Sequence, residues 1–224
     1  MRTAAALLIA LVTAACSTPP PPPTLAPAPP TVTVVAAPTP FTLEPRTPGG
    51  DFFKGQADAP VTLEMFGDFQ CPACGEFART IEPTLLNTYV DTGKVKLVWH
   101  DFTWIGNESV DAAQAARCAG RQGQFWAYHD YLYAHQRGEN AGQFSPQNLA
   151  AFAVNLNLDS AAFNTCLELT PDVPAIRDAL NRGLEHGVEV TPSFLINGDL
   201  RVGAPPMNRL AALIDVYLAR TAAH

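Results

Sequence analysis

The chain has 224 residues, 47% of them hydrophobic, and a formal net charge of -7. That is enough for one ordinary domain with a real core. The acidic balance, without any cluster of Lys and Arg, excludes nucleic acid as a partner, because phosphate recognition needs concentrated positive charge.

The N-terminus reads as a targeting segment. Arg2 supplies a positive start, and Ala4 to Val12 is an apolar run too short to span a bilayer. Thr13-Ala14-Ala15-Cys16 resembles a bacterial lipobox, although Thr13 stands where Leu is usual. Residues 1–15 are therefore expected to be a lipoprotein signal peptide, with Cys16 the lipidated residue. The alternative is a plain secretory signal that leaves Cys16 free. Five cysteines support the anchor: with Cys16 acylated, Cys71, Cys74, Cys118 and Cys166 remain as two pairs. The expected location is the cell envelope, exported and held at a membrane. Residues 16–50 carry twelve of the 21 prolines and read as a disordered, extended tether.

The folded domain is expected over 51–224. Val61 to Phe66 reads as a buried strand, followed by Cys71-Pro72-Ala73-Cys74. A helix is expected from Pro72 to about Tyr89, kinked at Pro83. Val95 to Trp99 is a second strand. A helical block spans about 108–187, with breaks near Gly138–Gly142 and Pro171–Pro174. Ser193 to Ile196 is a strand, and Asn197-Gly198 predicts a type I′ hairpin into Leu200-Arg201-Val202. Pro206 to Ala219 closes the chain as an amphipathic helix, with Leu210, Leu213, Ile214 and Tyr217 on one face.

Cys71 and Cys74 carry the chemistry. At a helix start, Cys71 takes the N-cap and Pro72 the first helical position, where a missing N–H costs nothing. Unpaired N–H groups and the helix dipole then favour a thiolate on Cys71. Cys74, one turn further in, can resolve a mixed disulfide. A zinc site would need two more ligands at matching spacing, and the sequence offers none. A purely structural disulfide would close too short a loop to restrict much entropy. His100, His129 and His135 sit among aromatic residues and read as packing groups, so no metal is expected.

The combination of Cys71-Pro72-Ala73-Cys74 with Val190-Thr191-Pro192-Ser193-Phe194 and Asn197-Gly198 resembles the thioredoxin superfamily. The strand before the motif and the long helical block point to its DsbA-like branch. The resemblance covers about Asp51 to Ala219. It implies an α/β thioredoxin fold with an inserted helical subdomain and thiol–disulfide exchange in exported proteins. Cys71 would attack and Cys74 resolve. Thr191 and Pro192 would form a cis-proline loop beside them, both catalytic and substrate-binding, with Pro72 and Ala73 completing the surface a substrate meets. The implied partners are reduced or unfolded exported proteins and a membrane oxidant, DsbB-like or vitamin K epoxide reductase-like. The Cys pair carries the electrons, so no cofactor is expected, and the chain is expected to be a monomer.

Two departures bear on direction. The intervening dipeptide is Pro-Ala, where strongly oxidising members carry Pro-His. Met65 stands where members often bury an acid; Glu64 is adjacent but turned to the other face, and Asp68 is the substitute candidate for assisting proton movement, the alternative being a solvated turn residue. A reductase or isomerase using the same site, a non-catalytic peptide-binding or chaperone lipoprotein, and a copper-handling thiol protein are the alternatives. Cys118 and Cys166 read either as buried thiols or as a structural disulfide; an oxidising compartment favours the disulfide.

Overall fold

A computed structural model describes residues 43–222. The signal segment, Cys16 and the tether up to residue 42 lie outside the described residues.

Five strands form one mixed sheet in the order β1-β3-β2-β4-β5. They are β1 (Phe53–Lys54), β2 (Val61–Gly67), β3 (Val95–Asp101), β4 (Ser193–Ile196) and β5 (Asp199–Val202). β2 and β3 run parallel in the middle, and the other neighbours are antiparallel. β1 is too short to leave a periodic signal; it forms because Phe53 and Lys54 pair with Val98 and Leu97. Val61, Leu63 and Met65 of β2 face the main core, while Phe66 joins Phe102, Val188 and Leu195 in a second core on the other side. Both faces of the central strands are thus covered, the usual condition of parallel pairing. The β4–β5 turn is the expected one, with φ of 48° at Asn197 and 90° at Gly198.

The single helix expected over Pro72 to Tyr89 is three segments. α1 (Pro72–Thr80) ends before Pro83, α2 (Glu82–Leu85) is one turn, and Leu86–Val90 is a wider turn. Pro83 has no N–H to offer the carbonyl four residues earlier, so the helix breaks there. The helical block contains α3 (Asn107–Gly120), α4 (Phe125–Ala134), α5 (Pro146–Asn155), α6 (Ser160–Leu169) and α7 (Val173–Glu185); α8 (Met207–Thr221) closes the chain. No helix among the described residues is long and apolar enough to cross a membrane. α7 lies close against the sheet: a Cβ at Gly183 would come within 2.9 Å of the Phe66 and Phe102 rings.

The tether boundary at Gly50 needs correction. Glu44 accepts hydrogen bonds from the backbone N–H groups of Phe125 and Trp126, supplying the charge that the start of α4 lacks. Arg46 lies 4.0 Å over the Phe52 ring. Composition placed both residues in the tether, but capping a helix start and covering a ring are tertiary acts.

Cys118 of α3 and Cys166 of α6 are bonded, with Cα atoms 5.8 Å apart and 48 residues of separation. Replacing both with alanine is expected to cost roughly 4 kcal/mol by the loop-entropy model. Urea unfolding of the double variant measures this; a loss below about 1 kcal/mol would place the value of the bond elsewhere.

A buried ion network underlies the sheet. His100 Nε2 lies 2.8 Å from Glu64 Oε2, and Nδ1 lies 3.2 Å from Asp51 Oδ2. Burial opposes the charge on His100, yet Asp51 and Glu64 outweigh it and raise its pKa above the ordinary 6.5. Stability from this shift is complete below about 6.5 and is lost as pH rises through the raised value. The His100 hydrogen bond lowers the pKa of Glu64; Asp51 is lowered too, against its own burial, by His100 and two arginines. Those contributions hold above ordinary carboxylate values and are lost as pH falls. In the disulfide form, the urea midpoint should therefore fall as pH rises above about 6.5 and through the raised value, and His100→Gln should flatten that limb. An unchanged slope in the variant would refute the assignment.

Candidate active site

Cys71 is the N-cap of α1, with φ -68° and ψ 119°, and Pro72 occupies the first turn. β2 runs into this point, and a tight turn joins them: Cys71 N–H donates to the Asp68 carbonyl at 3.0 Å. The two thiols are unbonded. Cys71 keeps 7% of its surface exposed and Cys74 none, so only Cys71 can meet another molecule. Pro72 and Ala73 are exposed beside it. Thr191 and Pro192, 120 residues away, are brought against the pair: the Thr191–Pro192 peptide is cis, and Cys71 Sγ lies 3.2 Å from the Thr191 carbonyl.

The electrostatics separate the two thiols. Cys71 is lowered from an ordinary value of 9.0 to about 6. The hydrogen bond from the Cys74 thiol is the largest cause; burial opposes it, and Thr191 and the N–H groups of Cys74 and Ala73 add to it. The Thr191 hydroxyl favours the thiolate, whereas its carbonyl accepts only from the thiol. Cys74 is pushed well above the ordinary value, first by burial and then by Cys71. One sulfur is thus a stable thiolate near neutrality, and its neighbour holds a proton for it.

Asp68 is not a solvated turn residue. It is 1% exposed, and its carboxylate accepts from the N–H groups of Gln70 (2.8 Å), Trp104 (3.1 Å) and Ile105 (3.3 Å). Burial still raises its pKa. Its visible work is to tie the loop after β3 to the Cys motif.

Several residues in this region left no signal in the sequence, because their partners are remote. Gln136 donates to the Phe69 and Cys71 carbonyls at 2.7 and 3.0 Å. Buried Gln70 accepts from Asn140 N–H at 2.6 Å and donates to Ser109 Oγ at 2.9 Å. Trp104, 55% exposed, stands over a cleft of about 480 Å³ lined by Cys71, Trp104, Ile105, Glu139, Val190 and Thr191.

A family model described as thioredoxin matches residues 47–216. The chain belongs to the thioredoxin family. Among curated relatives, it is 31% identical to the probable disulfide bond formation protein D of Bacillus anthracis, over 74% of this chain and 77% of that protein. It is 32% identical to the Na(+)/H(+) antiporter NhaA 1 of Salinispora arenicola over 79% of this chain, but spans only 26% of that relative's length. Its fold is that of oxidised BdbD from Bacillus subtilis, with a TM-score of 0.72 at 21% identity, covering 81% of this chain and all of that one. The expected α/β thioredoxin fold with a helical insertion is what the chain adopts, and the family membership agrees with the resemblance carried by its two motifs.

Proposed function

We propose that the chain is a disulfide-forming thiol–disulfide oxidoreductase that acts on exported proteins through Cys71 and Cys74. A substrate thiolate attacks Cys71 Sγ of the oxidised pair; the Cys71–Cys74 bond breaks, and Cys74 leaves and takes a proton. A second substrate thiolate then attacks the substrate sulfur of the mixed disulfide. Cys71 leaves as a thiolate, and the substrate has lost two electrons to the pair. The lowered pKa of Cys71 carries this reading, since a stable thiolate is a good leaving group and stabilises the reduced enzyme. The Cys74 thiol and the helix N–H groups supply that stabilisation without the histidine of Pro-His motifs.

The cleft beside Thr191 suits an extended peptide that pairs with the backbone ahead of Pro192. Reoxidation would fall to a DsbB-like or vitamin K epoxide reductase-like membrane enzyme. A lipid on Cys16 would hold the domain, as a monomer, at the membrane where that partner sits. The Cys pair is the redox group, with no further cofactor.

The reduction potential tests the direction. Equilibrated against glutathione, the pair is expected between about -270 mV, the value of thioredoxin, and about -120 mV, that of DsbA. A value at or below about -270 mV would make the chain a reductant instead.

A further inference from the structure

The cleft beside Cys71 is walled by three chain segments that only the fold brings together. The loop after β3 supplies Trp104 and Ile105, the loop after α4 supplies Glu139, and the segment ahead of the cis peptide supplies Val190 and Thr191. The turn that carries Cys71 fixes both loops. Its Asp68 holds the N–H groups of Trp104 and Ile105. Its buried Gln70 accepts from Asn140 N–H at 2.6 Å, and the Asn140 side chain donates to the Ile105 carbonyl at 3.2 Å. Glu108 secures the far end of the second loop, accepting from the N–H groups of Gly142 and Phe144, both at 2.8 Å. The two loops approach so closely that a Cβ at Gly106 would collide with the Asn140 side chain. Trp104 and Glu139 thus stand at set places beside the thiolate.

Neither is used up by the fold. Trp104 is more than half exposed, and a large exposed aromatic beside a reactive sulfur offers a face to an incoming chain. Glu139 is exposed, and none of the ion pairs among the described residues includes it; Arg137, two residues earlier, does not neutralise it. An unneutralised carboxylate at the rim of a partly apolar cleft attracts positive charge and repels negative charge.

We propose that this cleft selects client segments that carry a basic side chain, arginine above all, within two residues of the cysteine that attacks Cys71. The selection rests on the exchange reaction proposed for the Cys pair. In an extended segment, residues two apart point to the same face, so the residue at that spacing enters the cleft with the cysteine, about 7 Å along the chain. The stem of an arginine lies along Ile105 and Val190, while its guanidinium pairs with Glu139 and stacks on the Trp104 indole. Lysine pairs with Glu139 but stacks less well, because its charge is a compact ammonium and not a plane. A client glutamate or aspartate meets Glu139 with like charge. The basic residue is a recognition group only, and the electrons still pass between sulfurs.

Single-turnover oxidation of reduced two-cysteine peptides by the oxidised full chain tests this. The peptides differ only in carrying Arg, Lys, Ala or Glu two residues from one cysteine, and the second-order rate constant is read by acid quench and alkylation of thiols. The Arg peptide is expected to react about tenfold faster than the Glu peptide, with Lys below Arg. Glu139→Gln should cut the Arg-to-Glu ratio to about threefold or less, Glu139→Arg should invert it, and Trp104→Ala should bring Arg and Lys together. Glu168→Gln removes the same charge from an exposed position on α6 and should keep the parent ratio. A parent ratio near one overturns the proposal. So does a ratio that Glu139→Gln and Glu168→Gln lower alike, since net charge would then be steering the peptide. Serine versions of the Arg and Glu peptides, which cannot exchange, should bind in the same order by calorimetry; equal binding also overturns it. That binding order without any oxidation would end the exchange reading and leave the selectivity of the cleft standing. Oxidation with no preference among the peptides would do the reverse.

Discussion

Replacing Cys71 with serine is expected to reduce disulfide formation in a reduced client protein by roughly a thousandfold or more, as loss of a nucleophile does elsewhere. A catalysed rate that survives in Cys71→Ser would remove the exchange mechanism and favour a binding role for the cleft. Cys74→Ser should behave differently. Given a disulfide-bonded client, its Cys71 thiolate still attacks one client sulfur and the other client sulfur leaves as a thiolate, but Cys74 is not there to displace Cys71 from the product, so a mixed disulfide with the client accumulates on a non-reducing gel. In the parent, thiolate absorbance should titrate with a midpoint of about 6, and only Cys71 should titrate near neutrality, because burial holds Cys74 well above its ordinary value. A midpoint near 9 would mean that the Cys74 hydrogen bond and the helix N–H groups do not act. The sign of the linked stability follows. Cys71 is depressed on folding, so the reduced form gains stability that is present above the ordinary thiol pKa and is lost as pH falls through about 6. The melting temperature of the reduced form relative to the oxidised form should fall over that range.

Arg117→Met is expected to cost roughly 3–5 kcal/mol of stability, because it removes one side of a buried ion network and leaves the other in place. Arg117 is 1% exposed. Its Nε donates to Asp101 at 2.6 Å, and one terminal nitrogen donates to Asp51 at 3.3 Å. Without it, Asp101 keeps the Trp99 indole N–H at 2.8 Å, and Asp51 leans on Arg182 and His100. Two buried carboxylates would then carry charge without adequate compensation. At about 2–4 °C per kcal/mol for a domain of this size, the melting temperature should drop by roughly 6–20 °C. Arg117→Lys should recover only part of this, since an ammonium cannot serve two carboxylates with a planar fork. Methionine filling the site with a loss under about 1 kcal/mol would show that packing, and not the ion network, holds α3 to the sheet.

Local chemistry made much of this protein legible in its sequence. The buried strand before Cys71, the helix start with Pro72 in its first turn and the Asn197-Gly198 hairpin depend on neighbouring residues and on backbone preferences. The same is true of the kink near Pro83, although the sequence missed how completely the helix divides there. The thioredoxin motifs are two such local signatures, and together they were sufficient for the family.

What lay beyond the sequence depends on residues far apart in the chain. Glu44 reads as part of a proline-rich linker until α4 arrives to be capped. Asp68 reads as a turn residue until the loop after β3 donates two N–H groups to it. His100 reads as a packing group, and Arg117 carries no signal, until burial makes each of their charges depend on a specific partner. A short-range signal survives in composition and spacing because it costs nothing to bring the residues together. A buried charge acquires its meaning only when folding removes water from it, and the surrounding tertiary structure alone decides which group replaces that water.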